Sequence, residues 1–310
     1  MGINANVKDL IQALSVNDIQ KAKTCALCVL ANDKTNSTAG WRKRMQDALE
    51  NQDLQFTVDN LPWQVKELVF VEDVGKTFMP GRYYVSNSER ALLDRIKQMH
   101  VASAKLDELR IRYLNSTLLH GVSGTGKTMF GRMVAYEFGL PFVYLNLSKI
   151  VDSLLGSTSK NLSAVFDWVR STPCVFMLDE IDAVSTNRGS SGFNDSAGKE
   201  FSRITITLIQ ELDRIPNDVI LLGATNRLDC VDDAVIRRFQ HQHEMRVFDR
   251  QDSVAMVKMF LDDVGLEYDR ESVEGYADKI HFKDVPQARI MSHVVRSIAD
   301  ACVGDHPIIL

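Results

Sequence analysis

Val7, Leu10, Ile11 and Leu14 fall at i, i+3, i+4 and i+7, and Trp41, Met45, Ala48 and Leu49 repeat that spacing. Residues 1 to about 60 therefore read as helical pieces, each with one apolar face to bury. Between them the run NDKTNSTAG is a cluster of polar turn formers, and beyond them the stretch up to residue 86 mixes β-branched and aromatic residues broken by Pro80-Gly81. It is expected to be irregular with a short strand or two. From a Ser86 or Ser88 cap, a helix is predicted to about Leu109 on Leu92, Ile96, Met99, Leu106 and Leu109.

The period then changes. Short apolar runs at 117–121 (TLLHG), 142–146 (FVYLN), 174–178 (CVFML), 219–224 (VILLGA) and 243–247 (HEMRV) alternate with helical stretches. Buried strands alternating with crossover helices imply a parallel sheet with helices on both faces. From about residue 250 the strands stop, and helical segments near 251–264, 271–280 and 286–302 form a small all-α unit. The fold class expected is α/β, a three-layer parallel sheet with a C-terminal helical lid and an N-terminal mainly helical region. The predicted domains are 1–88 (helical, for recognition), 89–249 (sheet) and 250–310 (lid).

The 310 residues suit about two domains, and 45% hydrophobic with 25% charged residues is an ordinary globular composition. No stretch approaches the ~18 apolar residues of a membrane span, and the first ten residues lack a basic start or apolar signal run. Asn6 stands where a myristoylation pattern requires Ser or Thr. A cytoplasmic protein without membrane association is expected. A formal net charge of -5 offers no global field for nucleic acid, though it leaves a local basic groove open. Cys25, Cys28, Cys174, Cys230 and Cys302 form no disulfide framework. Cys25 and Cys28 spell C-x-x-C without a second pair, and read as packed thiols on a helix sooner than as a metal or redox site. Arg42-Lys43-Arg44 reads as a solvated helix face, with a phosphate or membrane contact as the alternative. His241 and His243, lacking a third ligand nearby, read as a strand edge.

Residues 121–128, GVSGTGKT, match G-x-x-x-x-G-K-[ST] at every fixed position, between a predicted strand and a predicted helix. Glycines let the backbone curl around an anion, so that successive N–H groups and the helix N-terminus point at a phosphate. The candidate nucleotide-binding residues are Gly121, Ser123, Gly124, Thr125, Gly126, Lys127, Thr128 and Met129. Lys127 is placed to reach the β- and γ-phosphate oxygens and Thr128 to ligate Mg²⁺. About fifty residues on, an apolar strand ends in Asp179-Glu180. Carboxylates at that edge of a parallel sheet are where its ligand chemistry lies. Asp179 can hold Mg²⁺ through water, and Glu180 can polarise an attacking water.

With these motifs, over roughly residues 110–303, the chain resembles the AAA family of ring-forming ATPases. The matching text is GVSGTGKT, FMLDEIDAVSTNR (176–188) and ILLGATNRLDCVDDAVIRRF (220–239). The resemblance implies ATP gripped between sheet domain and lid, and a nucleotide-dependent homo-oligomer, usually a hexamer, with its sites at subunit boundaries. It implies that Asn226 orients the hydrolytic water beside Glu180, and that Arg237 and Arg238 are arginine fingers reaching the next subunit's γ-phosphate. Capping a surface helix is the other reading of these arginines. Asn146 would tether Glu180, unless it is only a turn former. Leu154, with Leu155 beside it, occupies the position of the aromatic pore residue in members that thread polypeptide, and 189–198 (GSSGFNDSAG) that of a second pore loop. Arg289, in Pro286-Gln-Ala-Arg, resembles a lid sensor that touches the γ-phosphate, with a salt bridge within the lid as the alternative.

The function expected is Mg²⁺-dependent ATP hydrolysis by a ring that remodels or unfolds a protein client, engaged through the N-terminal region and Leu154–Leu155. The alternatives are a nucleic-acid motor or loader, and a nucleotide-switched assembly scaffold.

Overall fold

A computed structural model describes residues 5–15, 19–32, 63–153, 158–184, 196–281, 284–304 and 306–310. Its packing divides the chain into two units, Met1–Asn60 and Leu61–Leu310. In the first, helices α1 (Ala5–Ser15) and α2 (Ile19–Asn32) pack on each other, with Ala22 and Leu30 buried. Cys25 and Cys28 both lie on α2, Cys28 exposed. The segment 41–49 lies outside the described residues.

The second unit starts with one-turn helix α3 (Trp63–Lys66), strand β1 (Phe70–Glu72), one-turn helix α4 (Val74–Thr77) and a 3₁₀ turn at Pro80–Arg82. Helix α5 (Asn87–Glu108) follows, close to its predicted span. Then come β2 (Asn115–His120), α6 (Lys127–Phe138), β3 (Phe142–Asn146), α7 (Leu147–Ser153), α8 (Thr158–Val169), β4 (Val175–Asp179), α9 (Ser196–Leu212), β5 (Ile220–Thr225), the one-turn α10 (Asp233–Ile236) and β6 (His241–Glu244). The order β1-β3-β4-β5-β2-β6 is parallel throughout except for β1, which runs antiparallel to β3.

The central strands β2 to β5 are largely buried on both faces, as the apolar runs of β3, β4 and β5 require. Val175 and Met177 of β4 join Phe142, Ile220 and Leu222 under Phe130, Met133 and Val134 of α6 and Leu92, Leu93 and Ile96 of α5. The alternate residues face the other way: Phe176 meets the ring of Phe166 on α8 edge-on at 5.3 Å. Arg170 and Ser163 both bond Glu211, at 2.7 Å each, clasping α8 to α9.

Val71, Val74 and Phe78 are also buried, the latter two in the core under α6. The packing boundary therefore falls after Asn60, not at the predicted 88/89, because 70–78 contributes a strand and apolar side chains to the sheet layer. β6 begins two residues before its predicted start, since only His241–Glu244 pair with β2.

Beyond β6, helices α11 (Arg250–Val264), α12 (Arg270–His281) and α13 (Gln287–Gly304) bury Val257, Leu261, Val273, Ile290 and Val294 in a second core. Asp249 caps α11 by accepting from Asp252 N–H, and Gly265 ends it with φ 74°. The last residues close this core: Ile308 is buried, its N–H donates to Glu267 O, and its carbonyl accepts from Asp269 N–H. Among the described residues no helix is long and apolar enough to cross a membrane.

Candidate nucleotide site

A cleft of about 580 Å³ lies along the carboxyl ends of β2, β4 and β5, within the 300–1,000 Å³ usual for small-molecule sites. One wall is the loop and helix start from Ser123 to Met129, a second is Asp179, Glu180 and Asn226, and a third is the lid with Gln287, Ala288 and Met291. The fourth is the segment Arg82–Tyr84 with Glu89.

The loop after β2 is forced by its glycines. Gly121, Gly124 and Gly126 have φ of 139°, 83° and 95°, a region that L side chains rarely enter. A Cβ on Gly121 would lie 2.3 Å from the Met245 carbonyl oxygen. Gly121 thus shapes the loop without lining the cleft. Lys127, largely buried, donates from Nζ to Gly121 O at 2.7 Å and Val122 O at 2.9 Å, so the ammonium is held inside the loop. Burial lowers its pKa, opposed by Asp179 and Asp182. A loop of positive-φ glycines, a caged cation and the N-terminus of twelve-residue α6 together fit a polyphosphate.

Asp179 and Thr128 fit a hard divalent cation. Thr128 Oγ1 lies 3.5 Å from Asp179 Oδ2, which also accepts from Tyr144 Oη at 2.9 Å. Two oxygen donors facing a phosphate pocket are the protein share typical of Mg²⁺, whose other ligands are waters and phosphate oxygens. Burial raises the Asp179 pKa against the opposing pull of Tyr144 and the Glu180 N–H, and burial and Asp179 push the Tyr144 phenol to about 12. Among the described residues no group of three or more His, Cys, Asp or Glu could hold a metal. His241 meets Tyr113 Oη at 3.3 Å on the sheet edge.

Glu180 has a left-handed backbone, φ 56° and ψ 46°, a conformation costing of order 1–3 kcal/mol outside glycine. Its N–H donates to Asp179 Oδ1 at 2.9 Å, and the 3₁₀ turn Ile181–Ala183 follows. The turn aims the two carboxylates differently: Asp179 toward Thr128, and Glu180 into the cleft. Asp182 accepts from Thr225 Oγ1 at 2.6 Å, tying the end of β4 to that of β5 and setting the exposed Asn226 at the cleft.

Of the sequence-predicted residues, the cleft brings together Ser123, Gly124, Thr125, Gly126, Lys127, Thr128, Met129, Asp179, Glu180 and Asn226. Arg237 and Arg238 are not among its lining. Arg238 bonds Asp213 at 3.1 Å and Ala234 O at 3.0 Å. Arg237 is exposed, donating only to Asp233 O at 3.2 Å, with no carboxylate partner among the described residues. The Asn146 oxygen caps α7, accepting from Ser148 Oγ and Lys149 N–H, rather than holding Glu180.

Arg289, expected as a γ-phosphate sensor, is not among the cleft's lining and instead lines a separate hollow with Tyr276, His293 and Arg296. The reason is helical phase. Gln287, Ala288, Met291 and Val295 form the cleft face of α13, and at about 100° per residue Arg289 lies some 200° round from Gln287. The alternative salt bridge is also absent among the described residues. Leu154, Leu155 and 189–195 lie outside those residues, and the side chains of 196–198 are likewise not described.

Sequence reasoning missed the fourth wall, since residues 82–88 fall in the predicted N-terminal region and Glu89 opens the predicted sheet domain without a role in the site. A signal was present: Ser86-Asn-Ser-Glu89 is a capping box, and Ser86 N–H and Oγ bond Glu89 Oε2 at 2.7 and 2.8 Å. Tyr83 Oη donates to Glu89 Oε1 at 3.2 Å. Burial raises the Glu89 pKa, opposed by these bonds. The same segment clasps the lid, since Tyr84 Oη donates to Asp252 and Arg82 Nε to Asp263, each at 2.7 Å.

Residues 117–247 match the model of the ATPase family associated with various cellular activities (AAA). The chain is 32% identical over 202 residues to the uncharacterized AAA family ATPase y4kL of Sinorhizobium fredii, covering 64% of this chain and 52% of that protein. It is 36% identical to peroxisomal ATPase pex6 of Schizosaccharomyces pombe over 40% of this chain and 13% of that one. It is 35% identical to the ATP-dependent zinc metalloprotease FtsH of Malacoplasma penetrans over 48% and 18%. The matched segment thus spans about half of the first relative and less than a fifth of the other two.

Proposed function

Taking as premise that the domain at residues 117–247 belongs to the AAA family of ATPases, we propose that this chain is a Mg²⁺-dependent ATP hydrolase that works as a homo-oligomeric ring, a hexamer, on a protein client. The observation that carries this reading is the single cleft in which the glycine loop, Lys127, Asp179, Glu180 and Asn226 converge against the lid. Thr128 and Asp179 would hold Mg²⁺, which when bound would supply positive charge to offset the negative charge developing during phosphoryl transfer. Lys127 turns from the loop carbonyls to the β- and γ-phosphate oxygens, exchanging neutral acceptors for charged ones.

Glu180 accepts a proton from the attacking water, a general-base role typically worth about 10²- to 10⁴-fold in rate, and Asn226 orients that water. Besides Lys127 the cleft is lined by Arg82, which is paired with Asp263. Arg237, exposed and without a carboxylate partner among the described residues, would supply a further cation to a neighbouring copy, with Arg238 beside it. Arginine fingers contribute about 10³- to 10⁵-fold.

A protein client is favoured because the formal charge of -5 offers no field for nucleic acid, and because one matched relative is an ATP-dependent protease. The N-terminal helices and Leu154–Leu155 are the segments through which client or adaptor would be engaged. ATPase rate against added unfolded protein, single-stranded DNA and duplex DNA, with oligomer mass measured with and without ATP, tests this. Stimulation by unfolded protein and ATP-dependent growth in mass are expected. Stimulation by DNA alone would replace the client, and full activity of a monomer would overturn the ring.

A further inference from the structure

A second hollow, of about 420 Å³, lies in the lid against α12, α13 and the turn at 284–286, and shares no lining residue with the nucleotide cleft. Arg289, His293 and Arg296 stand at i, i+4 and i+7 of α13, so one flank of the helix carries all three. Seven residues place the two arginines about 10 Å apart along the axis. Between them His293 stacks on Tyr276 of α12, with ring centroids 4.5 Å apart and an interplanar angle of 20°. Ile280 and Val285 add apolar lining.

Other cations of the lid are paired within it. Arg250 bonds Asp278, and Lys258 bonds Glu274 at 2.8 Å, both between α11 and α12. Glu274 and Asp278 each lie two positions from Tyr276, some 200° round α12, so they serve α11 and not the hollow. Neither Arg289 nor Arg296 has a carboxylate partner among the described residues. Asp284 is the one carboxylate in the lining, which leaves two guanidiniums against a single negative charge. In a chain of formal net charge -5 this surplus is local, and it favours a partner of opposite sign.

We propose that this hollow docks an acidic segment of a partner protein, an extended stretch of the form acid-x-apolar-x-acid. Alternate residues of an extended chain share a face, and positions four apart are separated by about 13 Å, within reach of both arginine side chains. Each guanidinium takes one carboxylate in a two-pronged contact, and the apolar side chain between them rests on the stacked rings of Tyr276 and His293. A nucleic acid fits less well, because the lining is one concave hollow and not a groove that could follow a phosphate backbone. The site belongs to the lid alone and does not depend on the nucleotide cleft.

The experiment is fluorescence anisotropy of the fluorescein-labelled peptide GSEGLGESG titrated with the full chain at low salt. Binding is expected, about tenfold weaker for GSQGLGQSG, which lacks both carboxylates, and about fivefold weaker for GSEGGGESG, which lacks the apolar side chain. Arg289→Gln and Arg296→Gln should each weaken GSEGLGESG about three- to fivefold, and matching circular-dichroism melts identify folded variants. Asp284→Asn removes the opposing charge at a residue whose φ of 44° asparagine tolerates, and should tighten binding about threefold. A misfolded variant could not produce that gain. No binding of GSEGLGESG, equal binding of GSQGLGQSG, or unchanged affinity in the three variants overturns the proposal. Binding of a twenty-nucleotide oligothymidylate in place of the peptide, weakened by the same arginine substitutions, also overturns it and assigns the hollow to nucleic acid.

Discussion

Tyr144 Oη donates to Asp179 Oδ2 at 2.9 Å, the same oxygen that lies 3.5 Å from Thr128 Oγ1. The phenol on β3 thus positions the carboxylate at the end of β4 from the neighbouring strand. Its bond favours the charged carboxylate, so Tyr144→Phe moves the Asp179 pKa further up. The acid limb of the rate profile should shift to higher pH, and the Mg²⁺ concentration for half-maximal ATPase should rise about tenfold, as for outer-sphere partners of metal ligands. Titration of Mg²⁺ at several pH values checks both; unchanged curves would remove Tyr144 from the site.

Lys127→Ala removes the cation that the loop carbonyls hold at 2.7 and 2.9 Å. Nucleotide binding should fall by at least about 10²-fold, some 3 kcal/mol, as read by calorimetry. Retention of wild-type affinity would mean that the loop does not bind phosphate.

Glu180→Gln keeps the strained turn and the Asp179 hydrogen bond, both of which use the backbone. ATP affinity should stay within twofold while kcat falls by about 10²- to 10⁴-fold. A single-turnover assay separates the two quantities, and hydrolysis at the wild-type rate would exclude Glu180 as the base.

Arg237→Ala breaks only a bond to a backbone carbonyl, so the melting temperature should hold while kcat drops about 10³-fold. Mixing it with inactive Glu180→Gln should restore activity, because one subunit brings Glu180 and its neighbour brings Arg237. Arg238→Ala also breaks an ion pair with Asp213. Failure of the mixture to recover would show that Arg237 does not act across subunits.

Arg170→Ala strands Glu211, a buried carboxylate shared by α8 and α9. Denaturant unfolding should show a loss of about 1–3 kcal/mol, the cost of a buried group deprived of its partner. Glu211→Gln, which can still accept from Ser163, should cost less. Equal losses would mean that packing, not the ion pair, governs this contact.

The sheet was legible wherever local chemistry outweighs context. FVYLN, VFMLD and ILLGAT are apolar runs that only a sheet covered on both faces can bury, and α5, α11, α12 and α13 lie within about two residues of their periodic patterns. β1 was less legible, because three residues carry almost no period and their pairing partner is some seventy positions away. The end of β4 and the glycine loop were legible for a different reason. Phosphate chemistry needs particular residue types at fixed spacing, so Lys127, Thr128, Asp179 and Glu180 identify themselves.

What the sequence determined by itself is the set of short-range relations: which segments are strands or helices, and which loop curls around an anion. Tertiary structure decided the relations between distant segments. It brought Tyr83 and Glu89 into a cleft whose glycine loop lies some forty residues away, put Tyr144 on Asp179, and turned Arg289 away while turning Gln287 in. Each of these depends on how an element is rotated and what it packs against. Backbone propensity fixes neither; burial of the two hydrophobic cores fixes both.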